Sequence, residues 1–292
     1  MISMTQDSMP HCSVFIPFLT LIIFIGCFSL SVCKASSLYD LALIEPHVLN
    51  RDISAWVILD ARPRDQWLDR HLPGARSFCW EDYTRTDEKR IPYRVWPPEE
   101  MAEALGEMGI DENSPIIVYG DADRSWGGEG WTCWVLVWLG HRGPIRLLNG
   151  GIQAWKSNDF PLVAEASNRK STPVGYKVKL RTEVSITTEE LQQQGSNLLL
   201  VDTRSTLEWL KGHLPDAVHI HWTKFFSGKE RRPISHNEMR RLMKHHGITN
   251  GKPVVYYCTG GIRSAYAWLI HELSGLGPAR NYEGGTEAWK RR

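Results

Sequence analysis

The chain has few cysteines outside its first 35 residues and no excess of charge of either sign. Of six cysteines, only Cys79, Cys133 and Cys258 lie beyond residue 35, which is too few for a disulfide framework. The 34 basic and 33 acidic side chains give a net charge of +1, which gives no support for a nucleic-acid partner. No other cysteine or histidine lies within four residues of Cys258, so we expect neither a metal nor a cofactor there.

A long apolar run occurs only once, near the N-terminus. Residues 14–32 (VFIPFLTLIIFIGCFSLSV) carry no charge, and the next charged residue is Lys34. The length of the run and the small residues at Cys33 and Ala35 predict a signal peptide over residues 1–35. The segment before the run has no lysine or arginine, which leaves an uncleaved membrane anchor over residues 14–32 as the alternative. We therefore expect an exported, periplasmic protein that meets a membrane only through this leader.

The rest of the chain repeats itself. Four segments recur in the same order at an offset of about 140 residues, and a period this long indicates tandem domains. The matched segments are Leu59–Arg62 with Val201–Arg204, Trp67–Ala75 with Trp209–Ala217, Ile116–Tyr119 with Pro253–Tyr257, and Asn149–Trp155 with Glu283–Trp289. We assign a first domain to residues 36–164, a polar linker to residues 165–175 and a second domain to residues 176–292.

Each copy alternates short apolar strands with helical runs. In the second copy, Thr187–Glu190 and Ser235–Glu238 fit the capping box that begins a helix. Alternating strands and helices predict an α/β fold, in which each domain has a mainly parallel sheet flanked by helices on both faces. Sheets of this kind bind ligands beyond the carboxyl ends of their strands.

Cys258 lies at such a strand end. An apolar run ends at Tyr257, Cys258 follows, and a Gly-Gly loop with Arg263 leads into a helical run. This order places backbone N–H groups at a helix N-terminus around the sulfur. The helix dipole and the arginine favour the thiolate form, so the segment predicts a nucleophile for small anions or sulfur. A merely structural cysteine is the alternative, but it does not explain why the Gly-Gly pair and the arginine follow the strand.

These motifs together resemble the two-domain rhodaneses, which are thiosulfate or 3-mercaptopyruvate sulfurtransferases. The resemblance rests on the Asp-x-Arg strand ends, the aromatic-x3-His-Leu-Pro-x-Ala segments, the Cys-x4-Arg loop and the closing Tyr282–Trp289. It covers nearly all of the chain after the leader and implies tandem rhodanese-like domains, of which only the second is catalytic. Alignment of the two copies places Asp121 opposite Cys258, so we expect the first domain to be structural and to form one wall of the cleft.

The resemblance also implies a mechanism. The Cys258 thiolate takes sulfur from thiosulfate or 3-mercaptopyruvate, holds it as a persulfide, and passes it to a thiol or cyanide by ping-pong kinetics. Arg263 supplies positive charge and favours thiosulfate by charge complementarity. The expected catalytic residues are Cys258 and Arg263, and the expected substrate-binding residues are Thr259, Gly260, Gly261, Ile262, Ser264 and Arg204. Arg204 is also expected to pair with Asp202, in a structural or a functional role, and Ser264 has helix capping as its alternative role.

One departure and two alternatives stay open. Glu208 stands where many two-domain members have a second substrate-binding arginine, which weakens the choice between donors. A persulfide carrier or binding module for one partner protein would have the same cysteine loop. A phosphatase or arsenate reductase of related fold uses Cys-x5-Arg, whereas only four residues separate Cys258 from Arg263, and this spacing favours the smaller sulfur substrate.

Overall fold

The computed structural model describes Met1 and residues 39–164, 172–249 and 251–291. Apart from Met1, the predicted leader lies outside these residues, and so does most of the predicted linker. Within the described ranges, no helix combines the length and the apolar character needed to cross a membrane. Export and membrane anchoring therefore stay predictions.

The first half of the chain forms a parallel sheet surrounded by helices. Its strands are β1 (Leu41–Ile44), β2 (Val57–Asp60), β3 (Arg76–Ser77), β4 (Thr84–Arg85), β5 (Arg94–Val95), β6 (Ile116–Tyr119) and β7 (Ile145–Leu148). Its helices are α1 (Pro46–Arg51), α2 (Arg64–Asp69), α3 (Pro98–Glu107), α4 (Gly128–Trp138) and α5 (Gly151–Ser157). The sheet order is β1-β7-β6-β2-β3 with every pair parallel, and β4 and β5 form a separate antiparallel hairpin.

The second half repeats this arrangement. Its strands are β8 (Leu199–Asp202), β9 (Val218–His219), β10 (Phe226–Ser227), β11 (Arg232–Pro233), β12 (Val254–Tyr257) and β13 (Ala279–Tyr282). Its helices are α6 (Thr188–Gln194), α7 (Thr206–Leu210), α8 (His236–His245), α9 (Ile262–Ser274) and α10 (Gly285–Trp289). The parallel order β13-β12-β8-β9 matches β7-β6-β2-β3 of the first sheet. The predicted duplication and the predicted α/β fold are confirmed.

Local sequence explains the elements that position the site. All four residues of β12 are buried, as expected for a central parallel strand that is covered on both faces. Thr187 and Ser235 each close a capping box with the glutamate three residues later, as the sequence predicts. A third capping box, which the sequence reading missed, begins α7 and pairs Ser205 with Glu208.

The two halves meet through the helices that follow their central strands. Gly130 of α4 lies so close to the backbone of Tyr266 in α9 that any side chain at position 130 would overlap it. Trp131 and Trp268, from the same two helices, belong to one apolar cluster that both halves share. Cys133 of α4 is also in this cluster, and its burial raises the pKa of its thiol. Cys133 is therefore a core residue.

Each half also extends its hairpin onto the other half. In the β4–β5 hairpin, Arg94 forms an ion pair with Glu283, which follows β13. In the β10–β11 hairpin, Arg232 Nη1 lies 2.9 Å from an oxygen of Glu45, which precedes α1. The two hairpins thus fasten the loops at the carboxyl ends of the opposite sheets.

Candidate active site

Cys258 follows the last residue of β12 and is buried, with 2% of its surface exposed. The hydroxyl of Ser264, on the first turn of α9, lies 3.6 Å from the Cys258 sulfur. The same hydroxyl donates a hydrogen bond of 2.6 Å to Asn281 Oδ1. The Asn281 amide in turn donates to the Gly261 carbonyl at 3.1 Å. Asn281, a buried polar residue on β13 that the sequence reading did not select, therefore links the hydroxyl beside the sulfur to the loop backbone.

The loop after Cys258 turns directly into α9. Gly261 is the N-cap of this helix and has a φ of +86°, a conformation that favours glycine. A Cβ atom at Gly261 would lie 2.8 Å from the backbone of Glu283. Ser264 lies within the helix and makes no capping hydrogen bond, so its alternative role as a cap is wrong. The predicted order of strand, cysteine loop and helix is confirmed.

Arg263 does not point freely toward a ligand, because Glu208 binds it. Its Nη1 and Nη2 atoms donate hydrogen bonds of 2.8 Å to the two carboxylate oxygens of Glu208. Nη2 also donates to the Thr259 hydroxyl at 2.8 Å, and that hydroxyl lies 3.0 Å from Glu208 Oε1. The hydrogen bonds from Arg263, followed by those from Ser205, hold the pKa of Glu208 well below its usual range. Glu208 is therefore an anion at neutral pH.

Arg204 is engaged elsewhere. Its Nε and Nη2 atoms donate to the Asp202 carboxylate at 3.0 and 2.6 Å, and Nη2 also donates to the Gly212 carbonyl. Asp60 and Arg62 repeat this buried pair in the first half. Since the first half has no equivalent nucleophile, the repetition favours a structural role for Asp202 and Arg204. Substrate binding by Arg204 stays a prediction.

The first half contributes aromatic side chains to the mouth of this site. Tyr93 lies against Gly260, and the Trp126 ring centre is 5.9 Å from the guanidinium carbon of Arg263. Trp80 packs edge-on against Tyr93 with their ring centres 6.0 Å apart. Trp126 and Tyr93 are 53% and 40% exposed, respectively, which is high for large apolar residues. We call Trp80, Tyr93 and Trp126 the aromatic rim.

Comparison with known proteins identifies the family. The family model described as "Rhodanese-like domain" matches residues 45–158 and again residues 187–292, which together make up most of the chain. The chain belongs to the rhodanese family. The first range contains every strand of the first sheet except β1, and the second range contains the whole second sheet. The duplicated unit is therefore a rhodanese-like domain.

Named relatives of this rhodanese are sulfur-transfer proteins. The thiosulfate sulfurtransferase of Azotobacter vinelandii is 29% identical over 260 residues, covering 85% of this chain and 93% of the relative. The sulfur carrier protein TtuD of Thermus thermophilus is 28% identical, covering 75% of this chain and 82% of the relative. Sulfurtransferase relatives of this similarity identify the chain as a sulfurtransferase.

A solved structure supports the fold independently. SseA from Escherichia coli, described with the rhodanese fold and catalytic mechanism of 3-mercaptopyruvate sulfotransferases, aligns with a TM-score of 0.72 at 20% identity. The alignment covers 83% of this chain and 98% of SseA. The two domains of this chain therefore align with nearly the whole of SseA.

The structure corrects the sequence alignment of the two rhodanese domains by one residue. Gly120, not Asp121, occupies the position of Cys258, because each directly follows the central strand of its sheet. The backbone confirms this equivalence: Ile152 N donates to the Gly120 carbonyl at 3.0 Å, and Thr286 N donates to the Cys258 carbonyl at 2.9 Å. The apolar runs of the two strands fit either register, so sequence alone could not fix the alignment. Asp121 instead matches Thr259 and pairs with Arg231 at 2.9 Å.

The carboxyl group of Glu129 fills the space that a side chain at position 120 would need. Its oxygens accept hydrogen bonds from Ala122 N at 2.9 Å and from the Ser125 hydroxyl at 2.8 Å. Burial raises the pKa of Glu129 to about 7. The first rhodanese domain therefore has a buried carboxyl group where the second has its thiol. This arrangement fits the structural role that the sequence predicts for the first domain.

Proposed function

We propose that this sulfurtransferase carries sulfur on Cys258 as a persulfide, from thiosulfate or 3-mercaptopyruvate to a thiol or cyanide. The observation that carries the proposal is the buried Cys258 at the end of β12, with Ser264 3.6 Å from its sulfur and the N-terminus of α9 close behind. The N-terminus of a helix stabilises negative charge placed beside it, and a persulfide on Cys258 carries such a charge. The names of the relatives support both donors as candidates.

The reaction runs in two half-reactions. With thiosulfate, the Cys258 thiolate attacks the outer sulfur, the S–S bond of the donor breaks, and sulfite leaves with the bonding electron pair. With 3-mercaptopyruvate, the C–S bond breaks, and pyruvate leaves with the thiol proton on its carbon. A nucleophilic acceptor then attacks the terminal sulfur and regenerates the Cys258 thiolate. Covalent transfer of this kind predicts ping-pong kinetics.

The intact mass of the reduced protein tests the proposal. After mixing with either donor, the wild type should gain one sulfur atom, roughly 32 Da, and lose it again when cyanide is added. Cys258→Ser should gain nothing. Cys79→Ser should behave like the wild type. The Cys79 thiol is buried and donates a hydrogen bond to Glu81, so we expect it to take up no sulfur. A wild type that gains no mass from either donor would exclude this function.

The TtuD relative supports a second candidate, in which the protein delivers persulfide to one partner instead of turning over small molecules. Both candidates predict the mass gain, so turnover separates them. A sulfurtransferase for small molecules should produce many equivalents of thiocyanate per Cys258 with cyanide in excess. A carrier should keep its persulfide against small thiols and release little more than one equivalent during the same assay.

A further inference from the structure

We propose that Glu208 sets the choice of sulfur donor in this site. Because Glu208 neutralises Arg263, the site takes sulfur from an organic donor with at most one negative charge in preference to thiosulfate. The inference rests on the proposed persulfide function and adds a specificity residue to it.

The geometry leaves little of the Arg263 charge for a donor. The two Nη atoms of Arg263 both hydrogen-bond to Glu208 at 2.8 Å, and Nη2 also reaches Thr259. Arg263 itself is only 9% exposed. Bidentate pairs of this kind are strong and have a fixed geometry. A donor that needed Arg263 would have to displace Glu208 or bind beside an ion pair that is already complete.

Glu208 is itself held in place from the other side. Its Oε2 atom accepts hydrogen bonds from the Ser205 backbone N–H at 2.9 Å and from the Ser205 hydroxyl at 2.7 Å. These bonds are part of the capping box that begins α7. Movement of the carboxylate away from Arg263 would therefore break the hydrogen bonds that cap the N-terminus of α7.

The charge balance then disfavours a dianion. Sulfur transfer uses the thiolate of Cys258 as the nucleophile. In this reacting form, Cys258 and Glu208 contribute two negative charges and Arg263 contributes one positive charge, so the centre carries one net negative charge. Thiosulfate brings two further negative charges to this centre, and like charges repel. An organic donor such as 3-mercaptopyruvate brings one. His221 does not restore the balance, because its burial and the nearby Arg263 lower the pKa of its ring.

The aromatic rim offers apolar surface, which favours an organic donor over thiosulfate. Trp126 and Tyr93 expose large apolar surfaces beside the loop that holds Cys258. Burying such surface against a carbon skeleton is favourable roughly in proportion to the apolar area removed from water. Thiosulfate has no carbon skeleton, so it gains nothing from these rings.

Steady-state kinetics with each donor, with cyanide as the common acceptor, test the inference. In the wild type, kcat/KM should be higher with 3-mercaptopyruvate than with thiosulfate. Glu208→Gln removes the charge and keeps an oxygen for Ser205, so it should raise kcat/KM for thiosulfate by about tenfold or more. With 3-mercaptopyruvate the change should stay below about threefold.

A control variant separates the charge at position 208 from the capping of a helix. Glu238→Gln removes the same charge from the capping box of α8, where Glu238 contacts Ser235. It should not change the ratio of kcat/KM between the two donors.

The salt dependence of kcat/KM gives an independent measurement. If like charges repel, added potassium chloride should raise kcat/KM for thiosulfate in the wild type, because salt screens the repulsion. The same addition should have little effect in Glu208→Gln.

A wild type that prefers thiosulfate, or a Glu208→Gln protein that loses activity equally with both donors, would overturn the inference and leave the persulfide function intact. If neither donor adds sulfur to Cys258, the proposed function fails and the inference fails with it.

Discussion

Tyr93 of the first rhodanese domain lies directly on Gly260 of the loop that holds Cys258. A Cβ atom built on Gly260 would come within 2.5 Å of the Tyr93 Cβ. Tyr93 has a φ of +64°, and Arg231, at the same place in the other hairpin, has a φ of +53°. Non-glycine residues seldom adopt this conformation, and surrounding contacts must hold it. The hairpin of one domain thus constrains the position of the Cys258 loop in the other.

The contact between Tyr93 and Gly260 predicts one effect on stability and one on activity. Gly260→Ala should destabilise the protein by about 1 to 3 kcal/mol, because the added methyl group overpacks against Tyr93, and it should lower sulfur transfer by displacing the loop. In a Tyr93→Gly background the same change should cost less than about 0.5 kcal/mol. Urea unfolding of the four proteins measures this coupling. Equal costs in both backgrounds would show that the Tyr93 side chain does not constrain the loop.

The ion pair between Arg94 and Glu283 should contribute more stability than a surface pair. Glu283 is 5% exposed, and it also accepts a hydrogen bond of 2.8 Å from Val95 N. Arg94→Ala leaves this buried carboxyl group without its cation, which should cost about 2 to 4 kcal/mol in urea unfolding. Arg85→Ala is the matched control, since Arg85 and Glu100 are each about half exposed. It should cost less than about 1 kcal/mol, and similar costs for both variants would contradict this account.

The sequence predicts the features that neighbouring residues determine. It does not predict contacts between segments that lie far apart in the chain. The capping boxes at Thr187 and Ser235 and the buried strand before Cys258 depend on neighbouring residues, and all three are confirmed. The pairing of Glu208 with Arg263 joins residues 55 positions apart, and no local pattern encodes it. The spacing Ser205-x-x-Glu208 could have shown that Glu208 caps a helix, but not what its other oxygen binds.

The aromatic rim was missed for the same reason. Tyr93 and Trp126 belong to the first domain, and only the exchange of hairpins and the packing of α4 on α9 bring them to Cys258. Tryptophan composition alone cannot tell an exposed ring at a site from a core ring. The one-residue error that placed Asp121 opposite Cys258 has a different cause. Four apolar residues align equally well in two registers, and only the ladder hydrogen bonds distinguish them.

Arg263→Lys tests whether the fork of the guanidinium matters beyond its charge. Lysine keeps the positive charge but cannot donate to both Glu208 oxygens and to Thr259 with one fixed geometry. Because Glu208 and Thr259 would lose the donors that hold them beside Cys258, we expect kcat/KM with 3-mercaptopyruvate to fall by roughly ten- to a hundredfold, without a matching loss of stability. Arg85→Lys, on the exposed pair with Glu100, should leave kcat/KM unchanged. Full activity in Arg263→Lys would show that a point charge is sufficient.

Glu129 should make stability depend on pH in a defined direction. Its pKa rises from 4.5 to about 7 on burial, so between these values the folded protein holds a proton that the unfolded chain has released. The stability that this proton supports is present at low pH and is lost as pH rises toward 7, by about 3 kcal/mol in all. Glu129→Gln keeps a neutral group of the same shape at every pH. Its free energy of unfolding should match the wild type near pH 4 and exceed it by about 3 kcal/mol near pH 8. Glu100→Gln, on the surface, should show no such divergence, and a constant difference between wild type and Glu129→Gln would show that the carboxyl group does not titrate in this range.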